Sequence, residues 1–137
     1  MSRGLLDTSV FIAREQRRPL GRLPDELAVS VVTIGELELG VLAASDAETR
    51  AMRADTLALA RAADPMAVTE AVMGAFARLT HDCRQAGARP KILDALIAAT
   101  AVEHGLPVVT QDEDFAAMSR VHPRLVVERV GHFDDGL

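Results

Sequence analysis

Several residue types are nearly missing from this 137-residue chain, and each absence excludes a class of protein. There is no Trp and no Tyr, and aromatic residues make up only 3%, so aliphatic side chains must fill the core and a base-stacking surface for nucleic acid is not expected. The single cysteine, Cys83, cannot form an internal disulfide. No apolar run approaches the ~18 residues that cross a bilayer, and no secretory leader pattern is present. We therefore expect a cytoplasmic protein.

The remaining composition is typical of a globular domain. Hydrophobic residues make up 49% and charged residues 26%, and a chain of this length can bury a core without covalent cross-links. We expect one domain over residues 1–137. The formal net charge of −5 argues against a protein that coats nucleic acid through its overall field. Basic residues nevertheless cluster in two segments: Arg14, Arg17, Arg18 and Arg22 in the first, and Arg84, Arg89 and Lys91 in the second. Lys91 is the only lysine in the chain.

Hydrophobic patterning predicts alternating strands and helices. Short apolar runs typical of strands buried on both faces lie at residues 4–7, 28–32, 106–110 and 124–130. Helical spacing is found at 33–42, 47–63, 68–86, 92–104 and 112–120, with Gly87 and Gly105 at positions that fit helix ends. This alternation predicts an α/β fold with a central, mostly parallel sheet flanked by helices.

Four acidic residues follow predicted strands or open predicted helices. Asp7 ends the first strand, Glu36 opens the helix after the second, Asp94 lies in the first turn of an apolar helix, and Asp112 follows the third strand. Ligands gather at the carboxyl ends of strands in open parallel sheets, so we expect these side chains to meet there. Neighbouring carboxylates need a counter-charge, and oxygen ligands suit Mg²⁺ or Mn²⁺. The four histidines show no zinc-ligand spacing.

Each acid also has an ordinary explanation. Asp7 and Asp112 could cap helix N-termini, and Asp94 would be favoured there by the helix dipole. Thr33 and Glu36 spell the capping box T-x-x-E. Capping accounts for each acid singly, but not for their common position at one edge of the sheet.

Three segments together resemble a known family. "LLDTSVFI", "VSVVTIGELELGV" and "ILDALIAATAVEHGLPVVTQDEDF" are similar, in this order, to blocks of the PIN-domain ribonucleases, and in particular of the VapC-type toxins of bacterial toxin-antitoxin pairs. The resemblance spans nearly the full chain. It implies a three-layer PIN-like fold and an endoribonuclease that uses Mg²⁺ or Mn²⁺ to hydrolyse RNA phosphodiester bonds.

The resemblance also implies a site. Asp7, Glu36, Asp94 and Asp112 match the family's catalytic acids, with Asp7, Asp94 and Asp112 as ligands of one or two metal ions. Asp114 is an alternative to Asp112 as the fourth ligand, and Glu36 would orient or deprotonate the attacking water. Two hydroxyl residues match polar positions beside the family's ligands: Ser9 and Thr110.

Partners follow from the same resemblance. It implies an RNA substrate, tRNA or rRNA, a small VapB-type antitoxin that covers the acidic groove, and a homodimer. The predicted helix 33–42 carries more apolar residues than one face needs, which suggests a surface for a partner. Packing in the chain's own core is the alternative for these side chains: Leu37, Leu39, Val41 and Leu42.

Three other functions are alternatives to this one. A haloacid dehalogenase phosphatase needs a second aspartate two residues after the first, where this chain has Ser9. A receiver domain needs a lysine after its fifth strand, whereas Lys91 precedes a helix. The third alternative, from a different class, is a catalytically silent PIN-like module that binds RNA or protein.

Overall fold

The computed structural model describes residues 2–131, which form four strands and six helices. In chain order the elements are β1 (Arg3–Leu6), α1 (Thr8–Glu15), β2 (Glu26–Val29), α2 (Val31–Leu42), α3 (Ala47–Arg61), α4 (Glu70–Gln85), α5 (Ile92–Glu103), β3 (Val108–Thr110), α6 (Asp114–Val121) and β4 (Val127–Arg129). The strands form one sheet in the order β2-β1-β3-β4, and every neighbouring pair is parallel.

One face of the sheet packs against the later helices. Leu5 of β1 lies opposite Ala28 of β2 and Val108 of β3. Because side chains alternate between the two faces of a strand, these three point to the same side. They join one hydrophobic cluster with buried side chains of α4, α5 and α6: Leu79, Ile97 and Phe115.

The other face packs against the first three helices. Leu6, the next residue of β1, lies opposite Val29 and Val109, and these form a second cluster with side chains of α1, α2 and α3: Phe11, Leu37 and Leu57. Helices therefore cover both faces of a parallel sheet. This confirms the predicted three-layer α/β fold.

Helix α5 is the most buried helix of the described residues. Seven of its twelve residues are buried, including Ala95 and the run 97–102, as its apolar sequence predicts. It ends at Gly105, whose φ is +65°, and the N–H of Leu106 donates to the carbonyl of Ala101 at 2.9 Å, which closes the helix as expected for glycine in this position. None of the helices within residues 2–131 combines the length and the hydropathy needed to span a membrane.

The junction between β2 and α2 differs from its prediction. The strand is Glu26–Val29 rather than 28–32, and the helix begins at Val31 rather than at residue 33. Ser30 is the reason, because its hydroxyl accepts a hydrogen bond from the N–H of Val32 at 3.0 Å. Ser30 is therefore the N-cap of α2 in place of the predicted cap, Thr33. Two β-branched residues that suit a strand thus enter the first turn of a helix.

Other boundaries shift by a few residues. Strand β1 ends at Leu6, one residue before the predicted end. Strand β3 omits residues 106 and 107, since Leu106 takes part in the end of α5. Strand β4 is shorter than 124–130 because the N–H of Leu125 donates to the carbonyl of His122 in a turn. Helices α3, α4 and α6 lie within two residues of their predicted ranges at each end.

Gly4 of β1 offers a test of the packing at the centre of the sheet. A Cβ there would lie 2.7 Å from Cγ2 of Val109 and 2.9 Å from Cγ of Pro24, and neither atom is the end of a flexible side chain. We expect Gly4→Ala to lower the free energy of unfolding by about 1–3 kcal/mol, measured by urea denaturation. Gly35→Ala in α2 is the control, since its Cβ meets nothing within 4 Å and it should stabilise the helix by about 0.5–1 kcal/mol.

Candidate functional site

Asp7 lies between β1 and α1 and is buried, with 2% of its surface exposed. Its Oδ1 accepts hydrogen bonds from the backbone N–H of Ser9 at 3.1 Å and from the Ser9 hydroxyl at 2.7 Å. Its Oδ2 accepts from the hydroxyl of Thr110 at 3.0 Å. Asp7 is thus the N-cap of α1, as the capping alternative holds, but the bond to Thr110 also ties it to the neighbouring strand β3.

The turn after β3 is held to the start of α1 by the same two hydroxyl residues. The N–H of Gln111 donates to Oγ of Ser9 at 2.9 Å, and the N–H of Asp112 donates to Oγ1 of Thr110 at 2.9 Å. These bonds position the Asp112 backbone beside Asp7. Ser9 and Thr110 therefore both donate hydrogen bonds to Asp7.

Glu36 reaches the site from α2. Its Oε1 accepts a hydrogen bond from the hydroxyl of Thr8 at 2.5 Å, and the hydroxyl oxygens of Thr8 and Thr33 are 3.0 Å apart. The capping box predicted for Thr33 and Glu36 is wrong, because Ser30 is the N-cap and Glu36 lies in the second turn of the helix. Glu36 is therefore held by α1 rather than by its own helix terminus.

Asp94 lies in the first turn of α5, as predicted. The pKa of Asp94 is raised from 3.8 to about 6, chiefly by burial and also by the charges of Asp114 and Glu36, while the charge of Lys91 opposes the shift. Asp112 also raises the pKa of Asp94, with a smaller effect. Asp94 thus lies within electrostatic reach of acids from three other segments.

The same effects act on Asp7. The pKa of Asp7 is raised from 3.8 to about 7, chiefly by burial; the hydrogen bonds from Ser9 and Thr110 oppose this shift, and the charges of Asp112 and Asp94 add to it. The hydrogen bonds do not offset the loss of hydration. Asp7 is therefore only partly ionised at neutral pH when no cation is bound.

All five predicted carboxylates line one cavity of about 340 Å³ at the carboxyl edge of the sheet. Asp112 lies between β3 and α6. The N-cap of α6 is Glu113, so the prediction that Asp112 caps this helix is wrong. Thr110 lies behind Asp7, fully buried. The acids in the cavity wall are Asp7, Glu36, Asp94, Asp112 and Asp114.

The fold and this wall of acids can be compared with known proteins. The family model described as "PIN domain" matches residues 4–121, a range that includes all five acids. The chain belongs to the PIN-domain family. Its sequence relatives carry the name VapC: it is 63% identical over 100 residues to the Ribonuclease VapC8 of Mycobacterium tuberculosis (strain ATCC 25618 / H37Rv), which covers 72% of this chain and 89% of the relative.

Two further comparisons cover more of this PIN domain. It is 50% identical over 121 residues to the Ribonuclease VapC4 of the same strain, covering 87% of this chain and 93% of the relative. The crystal structure of VapBC-5, a member of the VapBC family of toxin-antitoxin systems from M. tuberculosis, is similar with a TM-score of 0.80 and 39% identity, over 95% of this chain and 98% of that chain. The resemblance inferred from the three sequence segments is confirmed.

Besides the apolar Ile12, three polar residues of the cavity were missed as site residues. Thr8, Arg18 and Lys91 line it beside the acids. Thr8 follows Asp7 directly, and Lys91 lies one helical turn before Asp94, so spacing alone could have indicated both. Arg18 had no such signal, because three other arginines lie within the same basic segment.

The side chains of this PIN domain suit a hard divalent cation by their chemistry. Every acidic ligand candidate in the cavity supplies oxygen, as Mg²⁺ and Mn²⁺ prefer, and burial together with the charges of neighbouring acids raises the pKa values of Asp7 and Asp94, so a bound cation would favour their ionised forms. Within residues 2–131, no three His, Cys, Asp or Glu side chains already stand close enough together to hold a metal ion. Binding would therefore require the carboxylates to draw closer.

The raised pKa of Asp7 predicts that its ionisation destabilises the fold. Between pH 4 and 7 the folded chain keeps the Asp7 carboxyl protonated, whereas the unfolded chain, with a pKa of 3.8, has released this proton. The free energy of unfolding is therefore highest at low pH and falls as the pH rises to 7. In EDTA, Asp7→Asn should raise the free energy of unfolding by about 2–4 kcal/mol at pH 7.5 and by much less at pH 4.

Urea denaturation of both proteins at the two pH values measures this difference. Asp55→Asn, on the exposed surface of α3, is the control and should give the same small effect at both. An Asp7→Asn effect that does not change with pH would contradict the assignment.

Proposed function

We propose that this chain is a metal-dependent endoribonuclease that acts in the cytoplasm as the toxin of a toxin-antitoxin pair. Its membership of a family whose named relatives are VapC ribonucleases supports the proposal. The observation that carries it is that five carboxylates from four separate parts of the chain line one cavity. The proposed substrate is structured RNA, tRNA or rRNA.

Asp7, Asp94 and Asp112 would hold Mg²⁺ or Mn²⁺, with Asp114 as the alternative or additional ligand. Asp7 lies between β1 and α1, Asp94 lies in α5, Asp112 lies between β3 and α6, and Asp114 is the first residue of α6, so the ends of two strands and the first turns of α5 and α6 bring them together. When bound, the ion neutralises the carboxylates, places positive charge against the scissile phosphate and activates water. Ser9 and Thr110 keep the Asp7 carboxylate oriented through their hydrogen bonds.

Glu36 is the proposed proton acceptor. The hydroxyl of Thr8 holds its Oε1, and within residues 2–131 no hydrogen bond reaches its Oε2, which leaves this oxygen free to orient or deprotonate the attacking water. Glu36 lies in the wall of the same cavity as Asp94 and Asp7. Its position on α2, away from the two strand ends, suits a base better than a ligand.

Substitution of Glu36 tests this role. We expect Glu36→Gln to lower kcat by about 100-fold or more and to change KM less than threefold, since general-base catalysis contributes about 10²–10⁴-fold. Glu38→Gln is the matched control on the same helix, where Glu38 is exposed and lies 3.2 Å from Arg61. Cleavage of total RNA with Mg²⁺ is followed on gels, and a loss of stability without a loss of kcat would contradict the proposal.

Substitution of a proposed metal ligand distinguishes the ribonuclease from the catalytically silent alternative. Asp94→Asn should abolish RNA cleavage while the chain stays folded, as measured by circular dichroism, and EDTA should abolish cleavage by the unsubstituted chain. Retained cleavage in Asp94→Asn would overturn the metal-site assignment. If the unsubstituted chain cuts no RNA with Mg²⁺ or Mn²⁺ and does not slow growth when expressed, the silent binding module is the better account.

A VapB-type antitoxin and a second copy of the chain are the proposed protein partners. One of the similar solved structures is of a VapBC toxin-antitoxin system. Helix α2 also exposes apolar side chains that the core does not use: Leu39 is 66% exposed and Leu42 is 74% exposed, whereas Leu37 is buried. An exposed apolar pair on one helix suits a protein interface. We assign this face to the antitoxin.

Leu42→Glu tests that assignment. It should abolish co-purification of the cognate antitoxin and leave RNA cleavage within twofold of the unsubstituted chain. Met73→Glu on α4, where Met73 is 42% exposed, is the control and should retain the antitoxin. Analytical ultracentrifugation of the chain alone should give twice the mass of one chain, and loss of the dimer in Leu42→Glu would assign the face to the homodimer instead.

A further inference from the structure

We propose that the hydroxyls of Thr33 and Thr8 form a one-way hydrogen-bond chain that holds Oε1 of Glu36, so that Oε2 receives the proton of the attacking water. Thr8 and Thr33 are thereby positioning residues that act through Glu36. This inference rests on the proposed ribonuclease function and adds two residues to it. The contacts between the start of α1 and the first two turns of α2 carry it.

Thr8 of α1 bridges two side chains of α2. Its Oγ1 lies 2.5 Å from Oε1 of Glu36 and 3.0 Å from Oγ1 of Thr33. Thr33 and Glu36 are three residues apart and therefore lie on the same face of their helix. The T-x-x-E pair that the sequence offers as a capping box is thus connected, but through a hydroxyl of the neighbouring helix.

The number of protons fixes the direction of this chain. A threonine hydroxyl carries one proton, and an ionised carboxylate only accepts hydrogen bonds. Thr8 therefore gives its proton to Glu36, and Thr33 must donate to Thr8. Within residues 2–131 the Thr33 hydroxyl has no hydrogen-bond partner other than Thr8. Because Thr33 is fully buried, water does not compete for this hydroxyl.

The chain fixes one oxygen of Glu36 and leaves the other free. A glutamate side chain has three rotatable bonds, so half-buried Glu36 would otherwise sample several rotamers. With Oε1 held, one O–H bond of the attacking water breaks as a new one forms at Oε2, and the hydroxide oxygen attacks the phosphorus. Oε1 accepts from Thr8 before and after this transfer, so the hydroxyls do not need to reorient.

The N-terminus of α1 connects this chain to Asp7. Asp7 is the N-cap of α1 and Thr8 is the first residue of the helix. The hydrogen bonds that Ser9 and Thr110 donate to Asp7 therefore also fix the point from which Thr8 reaches Glu36. A proposed metal ligand and the proposed proton acceptor are thus positioned by one helix terminus.

Removal of the Thr8 hydroxyl tests the proposal. We measure kcat and KM at saturating Mg²⁺ with a fluorescently labelled transcript of one RNA that the unsubstituted chain cuts in total RNA. Thr8→Val keeps the side-chain shape and should lower kcat by about tenfold or more, with KM changed less than about threefold. Thr8→Ser restores the hydroxyl and should recover kcat to within about threefold of the unsubstituted chain. Thr33→Val should have a smaller effect than Thr8→Val, since Thr8 can still donate.

Thr56 of α3 provides the matched control. Its buried hydroxyl donates to Oε1 of Glu15 on α1 at 2.7 Å, which is the same kind of bond between two helices, and neither residue lines the carboxylate cavity. Thr56→Val and Thr8→Val should both lower the urea midpoint, but Thr56→Val should keep kcat within about twofold. Equal losses of kcat in the two variants would mean that the Thr8 bond only holds helices together, and would overturn the proposal.

Double substitutions show whether the hydroxyls act through Glu36. In a Glu36→Gln chain, Thr8→Val should lower the remaining kcat by less than about twofold, and in a Thr8→Val chain, Thr33→Val should do the same, because each link acts only through the next. Fully additive losses would overturn the chain. A higher Mg²⁺ requirement in Thr8→Val, with kcat unchanged at saturating Mg²⁺, would assign Glu36 to the metal and overturn it as well.

Failure of this inference can be told apart from failure of the proposed function. The carboxyl ¹³C resonance of Glu36, assigned by its loss in Glu36→Gln, should move by more than its linewidth in Thr8→Val and stay in place in Thr56→Val. If RNA is cut and Glu36→Gln slows cleavage, but Thr8→Val keeps kcat, the chain is wrong and the ribonuclease stands. If no RNA is cut with Mg²⁺ or Mn²⁺ while the resonance moves in Thr8→Val, the hydroxyl chain stands and the ribonuclease is wrong.

Discussion

The concentration of negative charge at the carboxyl edge of the sheet is the constraint on which the rest of this molecule depends. Asp7 is buried, and two hydroxyl groups and one N–H hold it, yet its pKa is about 7 because hydrogen bonds do not replace the lost hydration. The fold therefore keeps a carboxylate where ionisation costs stability. Such local cost is expected where a site is built for a ligand that supplies the missing charge.

The scaffold holds these acids in place by packing rather than by ion pairs. Between residues 2 and 131, ion pairs involve Arg3–Glu26, Arg61–Glu38, His122–Asp82 and Arg129–Glu113, and none of these residues lines the carboxylate cavity. The aliphatic clusters on the two faces of the sheet instead fix α1, α2, α5 and α6 against the strands. The site can therefore carry uncompensated charge without losing its geometry.

The fold was largely predictable because its signals are local. Continuous apolar runs indicated strands buried on both faces, and Gly87 and Gly105 indicated helix ends, where their φ values are +76° and +65°. The strand predicted at 28–32 was wrong because Ser30 caps α2 at this point. Backbone bonds from Met66 to Val29 and from Val31 to Met66 continue the strand pairing past the sheet, while Ser30 starts the helix.

By itself the sequence determined the layers of the fold, the family and the carboxylates, since burial patterns and residues at strand ends depend on near neighbours in the chain. Only the tertiary structure decided which basic residues lie beside the acids, namely Arg18 and Lys91 out of two basic clusters. Only the tertiary structure showed that Glu36 accepts a hydrogen bond from Thr8 instead of capping its own helix. The reason is that spacing along a chain fixes contacts within one helix or strand, whereas contacts between elements depend on how their faces pack.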